Sequence, residues 1–257
     1  MSIKLVSVNI ERDKHLDRVI PFIKREKPDV LCVQEIYEKD IPLFKHVMPG
    51  SHRFSPAARY REGENSHIVG EAIFSSLPVK TWFAHKYAGP SHITDSDLKT
   101  YRNHIRTLMG CEIRRGSGLF RIGATHFTWT PDGQPDNHQR HDVRNLLDAA
   151  LSLGQLILCG DFNAPRDGEI FSFIADHYTD AIPRHYKTSI DISLHIAGRE
   201  RSHEFGDKMV DGLFISGGYR ASDVRLVKGL SDHCAVVGEL SIAGRRRIFN
   251  ILDALHW

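Results

Sequence analysis

Two periods of hydrophobic and polar positions run along the chain. Lys4 to Ile10 reads in twos and is rich in β-branched residues, which predicts a strand ending near Asn9. His15 to Glu26 carries Leu16, Val19, Ile20 and Ile23 at helical spacing, with Pro28 just beyond, and predicts an amphipathic helix. Asp29 to Val33 predicts a buried strand that hands over to Gln34 and Glu35. Tyr37 to His67, broken by Pro42, Pro49, Gly50 and Pro56, predicts a short helix and then a long surface loop. Ile68 to Ser75 resumes strand character with Glu71 inside it, Val79 to Ala84 is a hairpin partner for it, and Tyr87 to Asn103 predicts a second polar loop.

Ile105 to Ile113 and Leu119 to Phe127 predict a hairpin around Gly116-Ser117-Gly118, its second strand ending at Thr125-His126-Phe127. Pro131 to Asn137 is a loop by its turn residues. Gln139 to Leu153 is a helix with Val143, Leu146, Leu147, Ala150 and Leu151 on one face and Gly154 as its stop. Leu156 to Cys159 is a continuous apolar run bounded by Gly154 and Gly160, the pattern of a strand buried on both faces. It delivers Asp161-Phe162-Asn163. Continued alternation would turn Asp161 and Asn163 one way and Phe162 back into the core, although Asp-x-Asn also makes simple turn hydrogen bonds. A short helix at Ile170 to Ala175, a variable segment with Tyr186 and His195, a strand at Met209 to Ile215, the stretch Val224 to Val227, and a strand at Cys234 to Leu240 complete the pattern. No repeat, low-complexity tract or linker interrupts it, so residues 1–257 are expected to form a single domain.

Composition narrows the class. Of 257 residues 41% are hydrophobic and 26% charged, as in an ordinary globular protein, and the net charge of +2 predicts no strong field for polyanions. Cys32, Cys111, Cys159 and Cys234 are widely spaced, which excludes a disulfide framework or a zinc ribbon. The N-terminus shows no signal peptide, and no apolar stretch nears the ~20 residues that span a bilayer. A cytoplasmic monomer without a membrane anchor is expected.

Candidate chemistry collects where strands end: Asn9, Glu35, His126, Asp161 with Asn163, and Asp232 with His233, while Glu71 and Asp211 lie inside strands. A carboxylate in an apolar strand is costly unless it is paired, hydrogen-bonded or bound to a cation. Each alone reads as a satisfied core polar group; together they read as a site assembled from strand ends. Arg106 reads either as a phosphate contact or as a solvated strand-end arginine, and Arg245-Arg246-Arg247 as a solvated edge.

In order along the chain, Ser7-Val8-Asn9-Ile10, Gln34-Glu35, Thr125-His126-Phe127, Gly160-Asp161-Phe162-Asn163, Val210-Asp211-Gly212-Leu213-Phe214 and Ser231-Asp232-His233 resemble the endonuclease/exonuclease/phosphatase superfamily. Thr125-His126-Phe127 is closer to its deoxyribonuclease I, sphingomyelinase and tyrosyl-DNA phosphodiesterase branches than to exonuclease III. The resemblance implies an α/β fold, a four-layer sandwich of two face-to-face mixed β-sheets flanked by helices. It implies a phosphodiesterase using Mg2+, with Mn2+ as a substitute, held by Glu35, Asn9 and Asp232. Asp161 would activate water, Asn163 and Arg106 would contact the phosphate, His233 would be oriented by Asp211, and His126 by Glu71. DNA, RNA or a nucleotide-linked phosphodiester is the expected substrate, with specificity in the loops Tyr37 to His67, Tyr87 to Asn103 and Tyr178 to Lys208, the first two of which hold Tyr60, Tyr87 and Tyr101. A sugar, inositol or lipid phosphate, or a silent binding module, are the other readings.

Overall fold

The computed structural model describes residues 1–97, 99, 102–196 and 207–244. One six-stranded sheet contains β1 (Ser2–Asn9), β2 (Val30–Tyr37), β3 (Ser51–Glu62), β4 (Asn65–Ser75), β11 (Tyr219–Val227) and β12 (Ala235–Ile242), in the order β11-β12-β1-β2-β4-β3. The other contains β5 (Val79–Ala88), β6 (Arg106–Arg115), β7 (Gly118–His126), β8 (Ile157–Asp161), β9 (Thr179–Asp180) and β10 (Asp211–Ile215), in the order β5-β6-β7-β8-β10-β9. Both are mixed. β1 runs parallel to β2, β7 runs parallel to β8, and the other named pairs are antiparallel.

Alternation sorts the side chains into layers. Ile3 and Leu5 of β1, Val30 and Cys32 of β2, and Ile73 of β4 meet Met109, Cys111, Ile122, Ala124, Ile157, Cys159 and Leu213 in a core between the sheets. The intervening residues Val6, Val8, Leu31, Val33, Ala72 and Phe74 face outward, against α1 (Leu16–Glu26) and α2 (Ile41–Val47). On the other side Leu108, Leu156, Leu158, Phe162 and Phe214 pack on α3 (Asn137–Ser152) and α4 (Glu169–Ala175). The chain thus forms the four-layer α/β sandwich that its motifs imply. All four cysteines are free and buried, and no helix among the described residues is long and apolar enough to cross a membrane.

The stretch expected to be a long loop instead forms β3 and the first residues of β4, and the strand expected from Ile68 to Ser75 is the rest of β4. β3 lies at the edge of its sheet, with Pro56 at a register shift between Pro56 and Ala58. An edge strand tolerates proline and arginine, and those residues hid its period. Residues 94–96 and 105 in turn lie along β3: Arg59 donates to the Thr94 carbonyl, Ser96 to Arg59, and Ile105 to Ala57, while Arg59 and Arg61 pair with Asp95. Tyr87, expected in a loop, sits buried in β5, its hydroxyl bonded to Thr125 Oγ1 at 2.8 Å. Tyr101 and Arg245 to Arg247 lie outside the described residues.

Gly160 precedes the acid of β8 at φ +136°, and a Cβ there would lie 1.9 Å from the Thr125 carbonyl oxygen. Gly160→Ala is expected to cost at least about 2 kcal/mol through clash and strain. Gly63→Ala, also left-handed at φ +61° but with open space around it, is expected to cost about 1 kcal/mol. Urea unfolding of the two variants checks that order.

Candidate active site

Register brings the polar strand ends together. Asp161 pairs across β8 with His126 of parallel β7 on one side and with Asp211 of antiparallel β10 on the other. All three occupy the phase of their strands that faces the opposite sheet, where Ala124, Cys159 and Leu213 precede or follow them in the inter-sheet core. From the first sheet, Asn9 follows Ile3, Leu5 and Ser7 on the inner face, and Glu71 shares that face with Ile73.

Glu35 breaks parity. Leu31 and Val33 point at the helices, so an unbroken strand would point Glu35 there too. The backbone at Glu35 is instead left-handed, φ +56°, at a register shift between Val33 and Ile36. A bulge of this kind re-aims a side chain at the cost of local strain, and here the carboxylate joins the inner face.

Asp161 Oδ2 is the hub. Asn9 Nδ2 reaches it from the other sheet at 3.1 Å and also donates to Glu35 Oε1 at 3.3 Å. His126 Nε2 stands 3.6 Å from it and His233 Nε2 3.7 Å. The second oxygen, Oδ1, accepts the Asn163 N–H at 2.8 Å. His233 Nδ1 bonds Asp211 Oδ2 at 2.8 Å, which aims Nε2 back at Asp161. The backbone fixes this pair: Ser189 Oγ accepts the amides of Val210 and Asp211, and Ile190 bridges to His233.

Burial pushes the Asp161 carboxyl up, and the Asp211 charge adds to this against His233, to about 7. Burial disfavours the His233 imidazolium, but Asp211 and Asp161 together outweigh it and hold its pKa well above the ordinary range. Burial and the Arg106 charge keep His126 neutral, well below its ordinary range. Glu71 is buried and pushed up to about 8, with Arg106 opposing and Glu35 adding.

These groups line one cavity of about 310 Å³. Glu35, Glu71, Arg106, His126, Asp161, Asn163, Asp232 and His233 reach it, whereas Asn9 and Asp211 stand behind and hold others. Some placements differ from expectation. Asn9 Oδ1 accepts the Glu11 N–H at 3.1 Å, so Asn9 faces the acids as a donor. Glu71 forms no hydrogen bond to His126 among the described residues, and one of its oxygens, Oε2, has no partner. Asn163 enters the cavity from a left-handed position (φ +49°) beyond the strand, with Nδ2 on the Phe127 carbonyl at 2.9 Å. Arg106 is buried, not solvated, and donates to the His126 carbonyl at 3.0 Å.

Arg12, Lys14, His104, Trp129 and His195 also line the cavity without having been singled out from sequence. Arg12 had a signal: it stands three residues past Asn9, in the loop at a carboxyl strand end. Tyr60, expected in a loop, lines the cavity from β3.

The donor set suits a hard divalent cation. Glu35 and Asp232 offer carboxylate oxygens, close enough for the Asp232 charge to raise Glu35, which burial raises first and Arg12 relieves. Asp161, Asp211 and His233 also have the composition of a metal site, with ligand atoms within 4.8 Å of one another. Their internal hydrogen bond takes Nδ1 of His233 and leaves Nε2 as the ring nitrogen that faces Asp161.

His104 supplies a pH test. Burial and then the Arg106 charge lower it to about 3 from 6.5. Between those values the unfolded chain binds a proton that the folded chain does not, so stability falls as pH falls through the window. His104→Gln is expected to flatten that fall. Thermal melts from pH 7 to pH 4 that stay parallel for the two proteins would contradict it.

Comparisons agree with the fold. Residues 6–233 match the model of the Endonuclease/Exonuclease/phosphatase family. The human Nocturnin catalytic domain with bound sulfate superposes with a TM-score of 0.68 at 16% identity, covering 94% of this chain and 94% of that one. A mannosyl-6-phosphatase from Bacteroides thetaiotaomicron gives 0.65 at 14%, covering 94% and 100%. Truncated TDP2 from Caenorhabditis elegans gives 0.64 at 18%, covering 95% and 98%. No curated protein sequence matches. With a family match across most of its length and the shared fold, the chain belongs to the Endonuclease/Exonuclease/phosphatase family, which includes phosphodiesterases and phosphatases.

Proposed function

We propose that the protein is a divalent-cation-dependent phosphodiesterase acting on nucleic acid or a nucleotide-linked phosphodiester, with Mg2+ the natural ion and Mn2+ a substitute. One observation carries this reading: a continuous hydrogen-bonded and charged chain, Asp211–His233–Asp161–Asn9–Glu35, that crosses both sheets at the wall of one cavity.

Glu35 and Asp232 would hold the cation, which supplies charge neutralisation at the scissile phosphate. Asp161, poised near neutrality by burial, takes the proton of the attacking water as a general base. Asn9 and the Asn163 N–H fix both of its oxygens, so its basic lone pair keeps one direction. His233, kept protonated by Asp211, donates Nε2–H to a phosphate oxygen and stabilises the charge that develops there. Neutral His126 and the second N–H of the Asn163 amide offer further hydrogen bonds to the phosphate. Arg106 adds a buried positive charge to the cavity wall.

Hydrolysis of an aryl phosphodiester, an aryl phosphomonoester, and single- and double-stranded DNA tests the proposal, each with EDTA, Mg2+ and Mn2+. Diester cleavage that needs the cation is expected. Asp161→Ala and His233→Ala are expected to lose roughly 10²–10⁴ in kcat/KM. Asp211→Asn is expected to lose at least about tenfold and to move the alkaline limb of the pH profile down, because His233 then gives up its proton more readily. Losses under about tenfold in the two alanine variants would refute the assigned roles. Activity on the monoester alone would make the protein a phosphatase.

A further inference from the structure

We propose that Arg12 is the resident counter-ion of Glu35, a positioning residue that a divalent cation has to displace, so that Arg12 sets the cation concentration at which the site loads. This rests on the reading of Glu35 as a cation ligand.

Arg12 Nη1 lies 3.1 Å from Glu35 Oε2, and its side chain is only 17% exposed. The guanidinium carbon stands 5.1 Å from the centre of the Tyr60 ring. Glu11 and Arg12 are consecutive left-handed residues, φ +50° and +68°, and Glu35 is left-handed as well. None is glycine, so the chain bears strain at both ends of this one ion pair, and such strain persists only where the surroundings enforce it.

Both Glu35 oxygens are engaged, Oε1 by Asn9 and Oε2 by Arg12. The Asn9 donor is neutral and also holds Asp161, so it can stay. The Arg12 donor is cationic, and a divalent ion joining Oε2 would stand a few ångströms from a like charge in a half-buried place. A second carboxylate lies within reach: Arg12 Nη2 is already 3.7 Å from Glu11 Oε1, an oxygen that Lys14 Nζ also holds, and the Tyr60 face remains alongside. Displaced from Glu35, the guanidinium would share the Glu11 carboxylate with Lys14 and His15.

Mn2+ binding to chelator-stripped protein, followed by electron paramagnetic resonance without substrate, tests this. Arg12→Gln is expected to bind Mn2+ at least about tenfold tighter than wild type, since a charge-assisted hydrogen bond no longer competes. Mn2+ is also expected to raise its Tm by more than it raises that of wild type. Arg12→Lys keeps the charge but loses the guanidinium fork, and is expected to tighten binding at least about threefold. It carries the test if Arg12→Gln does not fold. Unchanged or weaker binding in the Arg12 variants overturns the proposal while leaving the cation site in place, provided that Glu35→Gln abolishes binding. Wild-type affinity in Glu35→Gln overturns both this proposal and the reading beneath it.

Discussion

A carboxylate buried at the seam between two sheets needs partners from both, and the hydrogen bond from Asn9 to Asp161 supplies that tie. Without a partner, Asp161 would be an acid stranded in an apolar strand, costly enough to be neutralised or expelled. With the Asn9 side chain from the opposite sheet on one oxygen and the backbone N–H of Asn163 on the other, its position is fixed from both sheets. The surrounding site is arranged by the same condition. His233 stands where the Asp211 and Asp161 carboxylates offset its own burial, and Asp211 exists in the core because His233 pairs with it.

Alignment of the sheets is therefore part of the chemistry. Glu35 and Glu71 ride on one sheet, His126, Asp161 and Asp211 on the other, and the apolar core of Leu5, Cys32, Met109, Cys159 and Leu213 sets their separation. Close-packed interiors transmit small shifts rather than absorbing them.

Much of this could be read from the chain. The buried run before Asp161, the alternation of β1 and the acid inside β10 depend on local periodicity, and their register brought the expected residues to one cavity. What could not be read depends on departures from periodicity. Glu35 reaches the site because one left-handed residue reverses the parity of β2, which no hydrophobic pattern records. β3 is an edge strand whose proline and arginines read as loop. Arg106 looks solvated in sequence because its burial comes from residues far along the chain, and Arg12 sits in a charge run whose fold, not whose composition, turns it inward.

β3 and the segment that lies along it were legible only as two unrelated surface loops. Joined by the Arg59 and Ile105 backbone bonds and by the Asp95 pairs, they constitute a single wall, with Tyr60 and His104 on its cavity side. On β3 and the segment beside it this wall brings no acid to the cavity, whereas β4 brings Glu71. Its outer contour can be rebuilt on β3 and that segment with the acids of the cavity left in place, but only when the two are exchanged together, because either one grafted alone would arrive without its mate.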